Sequence, residues 1–206
     1  MGETTKVLMN LLAFLVIVLI GLRVLFLRPV IIQDNGMAPT LVYGEEVWMW
    51  KGAMAEMADI MVCRHPTRPE QLVIGRVVAF GGHSISTDPM GNLYVDRDRT
   101  VSGVDGGALF YDRTRKRQFD MLIGAISYFG KHDHQVFIEK GRSFQLRTYA
   151  VSHGIYLLGD NRAESEFDSR EFGEVDPRQC LGEVLMRVRP VEESRVLDHG
   201  RYELVR

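Results

Sequence analysis

Few side chains in this sequence combine the residue type and the spacing that chemistry needs. His132-Asp133-His134 would place two imidazoles on one face of a strand, part of a metal site, because alternate strand residues share a face. No further ligand pattern lies nearby, so the stretch reads as an exposed loop, and no metal or other cofactor is expected. His83 and Ser84 are adjacent, and neighbours on a strand point to opposite faces, which argues against a base–nucleophile pair. His153 reads as a turn residue. Thr40 and Cys63 are nucleophiles by type alone, and Cys63 lies in an apolar run, where burial raises a thiol pKa and silences it. The densest polar stretch is Gly159-Asp160-Asn161-Arg162-Ala163-Glu164-Ser165-Glu166-Phe167-Asp168-Ser169-Arg170. Asp and Asn side chains bond backbone groups in turns, and Arg–carboxylate pairs can be bidentate. That stretch is expected to hold a fold together rather than to react.

A second stretch, Asp34-Asn35-Gly36-Met37-Ala38-Pro39-Thr40-Leu41, gives the first its context. Together they resemble the type I signal peptidases, membrane-anchored serine proteases that remove signal peptides from exported proteins. The resemblance covers about residues 7–83 and 151–190, and the segment between gives no motif support. The family uses a Ser–Lys dyad, in which burial keeps the lysine neutral so that it can act as general base. Met37, Pro39, Thr40 and Leu41 match the motif that follows the serine, but Gly36 stands in the nucleophile's place. Arg76 and the apolar frame of Val73-Ile74-Gly75-Arg76-Val77 match the lysine motif, with Gly75 in place of the base and Gly81-Gly82-His83 in place of Pro-Gly-Asp. The family's oxyanion hole takes a serine hydroxyl two residues before the nucleophile, and here that position is Asp34. A carboxylate repels an oxyanion that a donor would stabilise by several kcal/mol.

Gly159, Asp160, Asn161, Arg162, Asp168, Ser169 and Arg170 match the family's bracing motif. Ser165 fits the serine that orients the lysine, with one residue more than usual between Ala163 and Phe167. The resemblance thus implies a signal-peptidase-like protein without its dyad. Such a protein would act by binding, as a subunit of a membrane protein complex or as a holder of extended peptides. The alternative is an active signal peptidase using other residues. The family docks its substrate as an added strand, which points to Pro29–Asn35 and Gln71–Ile74, with Ile32, Gln33, Val73 and Ile74 as contacts.

These residues need a scaffold. Val7 to Leu27 is apolar except for Asn10, Gly21 and Arg23. About twenty helical residues span roughly 30 Å, the hydrocarbon thickness of a bilayer. No small-x-small site follows Leu27, so residues 1–28 read as an uncleaved anchor, with Arg23 able to snorkel to the headgroups. Arg23 and Arg28 outnumber Lys6, which by charge alone favours the cytoplasmic side for the rest. The resemblance places the soluble domain on the periplasmic or extracytoplasmic side of a bacterial plasma membrane, and two arginines are the weaker signal.

Beyond Pro29 the chain reads as short β runs between turns: Val47–Trp50, Ile60–Cys63, Leu72–Ile74, Ile155–Leu158 and Val184–Val188. Ser84–Arg97 reads as a hairpin turning at Asp88–Asn92, and Val136–Ile138 with Phe144–Leu146 as a second, while Met121–Phe129 is ambiguous between helix and strand. Trp48 and Trp50 share one strand face, suited equally to a membrane interface and to core packing. The fold class expected is a mostly β domain over 29–190, with a variable insert at 84–150 and a polar tail at 191–206. The 206 residues carry a formal net charge of −2, which gives no nucleic-acid footprint. Cys63 and Cys180 are too few for a disulfide framework and read as buried thiols, although an oxidising compartment would let them pair.

Overall fold

The computed structural model describes residues 2–128, 131–164, 166–192 and 200–205. It opens with helix α1, Glu3–Phe26, whose apolar side chains are exposed over nearly its whole length. Among the described residues it is the one helix long and apolar enough to cross a membrane, by length and composition. Its C-cap, Leu27, turns extended, and the chain runs directly into strand β1, Leu27–Ile31.

The main sheet adds β2 (Glu46–Lys51), β3 (Ile60–Arg64), β4 (Leu72–Phe80), β12 (Ile155–Leu158), β13 (Cys180–Arg189) and β14 (Glu203–Leu204). Its order is β1-β2-β13-β3-β4-β12, with β14 on β13, and every pairing is antiparallel. Strand β3 shows why it sits centrally. Ile60, Met61, Val62 and Cys63 are all buried, because both of its faces are covered. Ile60 and Val62 join Ile32, Met37, Leu41, Val47 and Met49 on one side, and Met61 and Cys63 join Val73, Val77, Ile155 and Leu157 on the other.

Residues 84–150 form two smaller sheets. One contains β5 (Ser84–Thr87), β6 (Leu93–Val95), β7 (Asp98–Arg99) and β11 (Tyr149–Ala150), in the order β11-β5-β6-β7. The other contains β8 (Val101–Asp112), β9 (Arg117–Tyr128) and β10 (Lys131–Glu139). Both share a core with the main sheet, in which Ile85, Val95, Ile126 and Val136 pack with Val78, Ala79, Tyr156 and Leu158. A four-residue helix α2, Ser169–Phe172, ends on Gly173, where φ is +79°.

Several expectations change. The turn at Asp88–Asn92 joins β5 to β6 as a hairpin, but Phe144–Leu146 is not a strand. Phe144 is buried in the shared core, and the Leu146 N–H bonds the Thr87 hydroxyl instead of a strand partner. Val136–Ile138 belongs to β10, which pairs with β9, so Met121–Phe129 resolves as strand through Tyr128. The end of the chain is no loose tail: β14 pairs with β13, Val205 is buried, and Glu203 bonds the Arg187 guanidinium at 2.7 Å. Cys63 and Cys180 face each other across β3 and β13 and form a disulfide, not two thiols, a pairing that a sequence separation of 117 conceals. Trp48 and Trp50 meet the end of α1. The Arg23 guanidinium lies 4.8 Å from the Trp48 ring centroid, the Phe26 and Trp50 rings are 6.4 Å apart, and Lys51 Nζ bonds the Val24 carbonyl at 2.8 Å.

Candidate functional site

The loop Asp34–Leu41 lies between β1 and β2, and its middle is buried, including Asn35, Met37, Ala38 and Leu41. Ala38–Pro39 is a cis peptide. Beneath the loop, Asp160 is fully buried and receives Arg76 as a bidentate partner, Nε at 2.9 Å and an Nη at 2.7 Å. The Thr40 hydroxyl bonds the same carboxylate at 2.5 Å, and His134 Nε2 lies 3.6 Å from it. Burial pushes the Asp160 carboxyl up, but the Arg76 guanidinium, His134 and the Arg76 and Thr40 hydrogen bonds together hold it below the ordinary carboxylate range. Arg76 also donates to the Ala58 carbonyl at 2.8 Å, tying β4 to the turn before β3.

The rest of the polar stretch is equally engaged. The Asn161 N–H bonds the Gly36 carbonyl at 3.0 Å and its amide bonds the Asn35 carbonyl at 3.1 Å. Asp168 accepts the Gly159 N–H at 3.0 Å and the Arg170 guanidinium at 2.6 Å, and it caps α2. Arg170 reaches the Arg162 carbonyl, Arg162 reaches the Gly159 carbonyl, and the Ser169 hydroxyl accepts the Leu157 N–H. Gly159 is required sterically, because a Cβ there would run into the Gly36 carbonyl. Thr40, Arg76, Asp160, Asn161, Arg162, Asp168, Ser169 and Arg170 therefore converge under one loop. Ser165 lies outside the described residues.

Above this floor the geometry is different. Gly36 offers no side chain, and its N–H donates to Asp34 Oδ1 at 2.8 Å. A Cβ at Gly36 would meet that same oxygen at 3.0 Å, and Phe167 Cβ at 3.7 Å. Burial raises the Asp34 pKa, the Gly36 N–H lowers it, and the charge of Asp112 adds to the rise. At Gly75 a Cβ would stand 2.9 Å from Leu157 Cβ, so the neighbouring strand β12 fills the space that a side chain would need. Neither glycine can supply a nucleophile or a base.

Two groups beside Gly36 escape sequence reasoning. Asp112, at the end of β8, is buried and accepts the Asn35 amide at 2.8 Å and the Thr114 hydroxyl at 2.6 Å. Glu164 is 5% exposed and pairs with Arg115 at 3.2 Å. Burial, followed by the nearby carboxylates of Asp112 and Asp34, pushes Glu164 up to about 7 against the pull of Arg115. The Asp112-x-Thr114 turn is legible as a local motif, but only the fold brings it to Asn35. His134, expected in a loop, is buried in β10 beside Asp160, and the side chain of His132 lies outside the described residues. No group of three or more potential metal ligands occurs among the described residues.

A cleft leads to Asp34. One cavity of about 280 Å³ is lined by Val30, Met49, Val62, Leu72 and Ile74, and a second of about 590 Å³ by Val73, Glu70 and Glu166. Gln33, Asp34 and Leu72 line both. Strand β1 is an edge, and β12 pairs with β4 only from Arg76 onward, so Leu72–Ile74 has a free side there. Gln33, Val73 and Ile74 line these cavities. Ile32 does not: its side chain is buried in the core, and its backbone bonds Glu45 and Gly44.

A family model described as signal peptidase, peptidase S26, matches residues 5–189. A crystal structure of a signal peptidase I from Enterococcus faecalis is similar at 19% identity, covering 64% of this chain and 97% of that one, with a TM-score of 0.40. No curated protein matches the chain. With the family model spanning helix α1, the Gly36 loop and the Asp160 floor, the chain belongs to the signal peptidase family, peptidase S26.

Proposed function

We propose that this chain is a non-hydrolysing member of its family that holds an extended, signal-peptide-like segment in the cleft between β1 and β4. The observation that carries this reading is the Asp34–Gly36 contact. In a Ser–Lys peptidase the backbone N–H at Gly36 would serve the oxyanion, and here it is already bonded to a carboxylate. Gly36 has no hydroxyl and Gly75 no amine, so the acyl-enzyme route lacks both its nucleophile and its base. Meanwhile the cleft stays open, with a free sheet edge and apolar walls on which an added strand can place alternate side chains.

The anchor is read as retained in a bacterial plasma membrane, with the β domain on the extracytoplasmic side. The Cys63–Cys180 bond suits an oxidising compartment. The Arg23–Trp48 and Lys51–Val24 contacts would hold the domain close to the bilayer surface.

The test uses the full chain reconstituted in nanodiscs, with a photo-crosslinking residue at Gln33 and a fluorescent preprotein as ligand. Crosslinking to the signal segment without cleavage is expected, beside an intact Ser–Lys homologue that cleaves. Specific cleavage that persists through purification to homogeneity refutes the non-hydrolysing reading. Absence of any crosslink refutes the peptide-holding one.

A further inference from the structure

A cavity of about 780 Å³ lies at the β12 end of the main sheet, and it meets the second cleft cavity at Glu171. Its volume is that of a small-molecule site, and its walls have the mixed character of one. Phe144, Tyr149, Tyr156 and Phe172 supply rings, and the Tyr149 and Tyr156 rings pack 5.1 Å apart. The guanidinium groups of Arg162 and Arg170 hold the Phe144 ring in place, at 5.1 and 5.3 Å from its centroid.

The charges around this cavity do not cancel. Arg142 pairs with Glu139, Arg170 with Asp168, and Glu171 with Arg68. Arg147 lines the cavity with no ion pair or side-chain hydrogen bond among the described residues. Tyr156 gives the second observation. It is 1% exposed, it lines the cavity, and its hydroxyl has no hydrogen-bond partner among the described residues. Burial pushes its pKa up, with the charge of Asp168 adding to the rise, so the hydroxyl is a neutral donor at any physiological pH. Neither Arg147 nor Tyr156 lines the peptide cleft.

We propose that this cavity binds an anionic, ring-bearing small molecule, whose carboxylate or phosphate pairs with Arg147 and whose polar edge bonds the Tyr156 hydroxyl. The aromatic walls take the ring, and the free cation selects the sign of the charge.

Ligand-observed NMR on the full chain in detergent micelles tests this with three probes: phenyl phosphate, benzamidine as a cation of similar body, and inorganic phosphate as charge without a ring. Phenyl phosphate should bind saturably, inorganic phosphate more weakly, and benzamidine not at all. Arg147→Gln should weaken phenyl phosphate binding about tenfold, the scale of one hydrogen bond to a charged group. Tyr156→Phe should weaken it several-fold while leaving the melting temperature unchanged, because the hydroxyl makes no hydrogen bond among the described residues. No saturable binding at millimolar probe, equal binding of benzamidine, or an affinity that neither substitution moves would each overturn the proposal.

Discussion

The floor of the site and the position above it, only a few residues apart in the same loops, have opposite characters. On the floor Asp160, Arg76, Thr40 and His134 form a closed set of charged contacts that is buried from solvent. Above it, Gly36 and Gly75 are bare, and the Asp34 carboxyl turns inward to its own loop. The floor holds four distant segments together, which is work that no reaction is needed to justify. Loss of a nucleophile leaves no buried group unsatisfied, whereas loss of Asp160 would strand a buried guanidinium. The two regions are therefore free to change at very different cost.

That contrast is tested most harshly at the floor. Asp160→Ala removes the partner of a buried cation, and breaking such pairs costs about 3–5 kcal/mol. The urea midpoint should fall steeply, and the variant should fold poorly when expressed. Replacing Gly36 by Ala should cost under about 1 kcal/mol, since the nearest obstacle is the Asp34 carboxylate tip at 3.0 Å, a side chain that can rotate. Equal losses at both positions would erase the distinction drawn between them.

A smaller effect, set by pH, is expected where the two regions meet. An ordinary glutamate in the unfolded chain ionises near 4.5, whereas folded Glu164 keeps its proton to about 7, chiefly through burial beside Asp112 and Asp34. The folded state binds the extra proton between these values. The stabilisation is full below about 4.5, declines as pH rises, and is gone above about 7, a span of up to about 3 kcal/mol. Glu164→Gln should flatten the slope, so the stability difference between variant and wild type should grow from pH 4.5 to 8. A difference independent of pH would mean that Glu164 ionises normally.

Much of this contrast was legible in the sequence, but unevenly. The anchor, the central strands and the bracing residues follow from apolar runs and from a polar motif whose partners lie in fixed order. Gly36, Gly75 and Asp34 were legible as departures from that motif. What the sequence hid were contacts between distant segments. Asp112 reaches Asn35 across 77 residues, Cys63 meets Cys180 across 117, and Leu157 fills the space at Gly75 from an adjoining strand. Ile32 was misjudged because the strand alternation that turns it into the core begins only where β1 ends. The C-terminal segment was misjudged because it docks on β13 through a short backbone pairing, the Glu203–Arg187 contact and the buried Val205, while its composition is otherwise polar.

The smallest expected effect is the most pointed. Gly36→Ser with Gly75→Lys restores the dyad on paper, and turnover of a preprotein by this double variant should stay far below that of an intact homologue. Asp34 still occupies the Gly36 N–H that an oxyanion would need, and its carboxylate favours the charged form of a nearby lysine, whereas a general base must be neutral. Adding Asp34→Ser should therefore raise turnover above the double variant. It should not raise it to the homologue's level, because the obstacle at Gly75 is Leu157 Cβ at 2.9 Å, an atom that Leu157→Ala would leave in place. Room for a lysine requires β4 and β12 to move apart, and β12 is held by the Ser169 hydroxyl and by its pairing with β4. Side-by-side turnover of the double and triple variants measures the two obstacles separately. A fully active double variant would show that neither the carboxylate at Asp34 nor the packing at Gly75 closes the site.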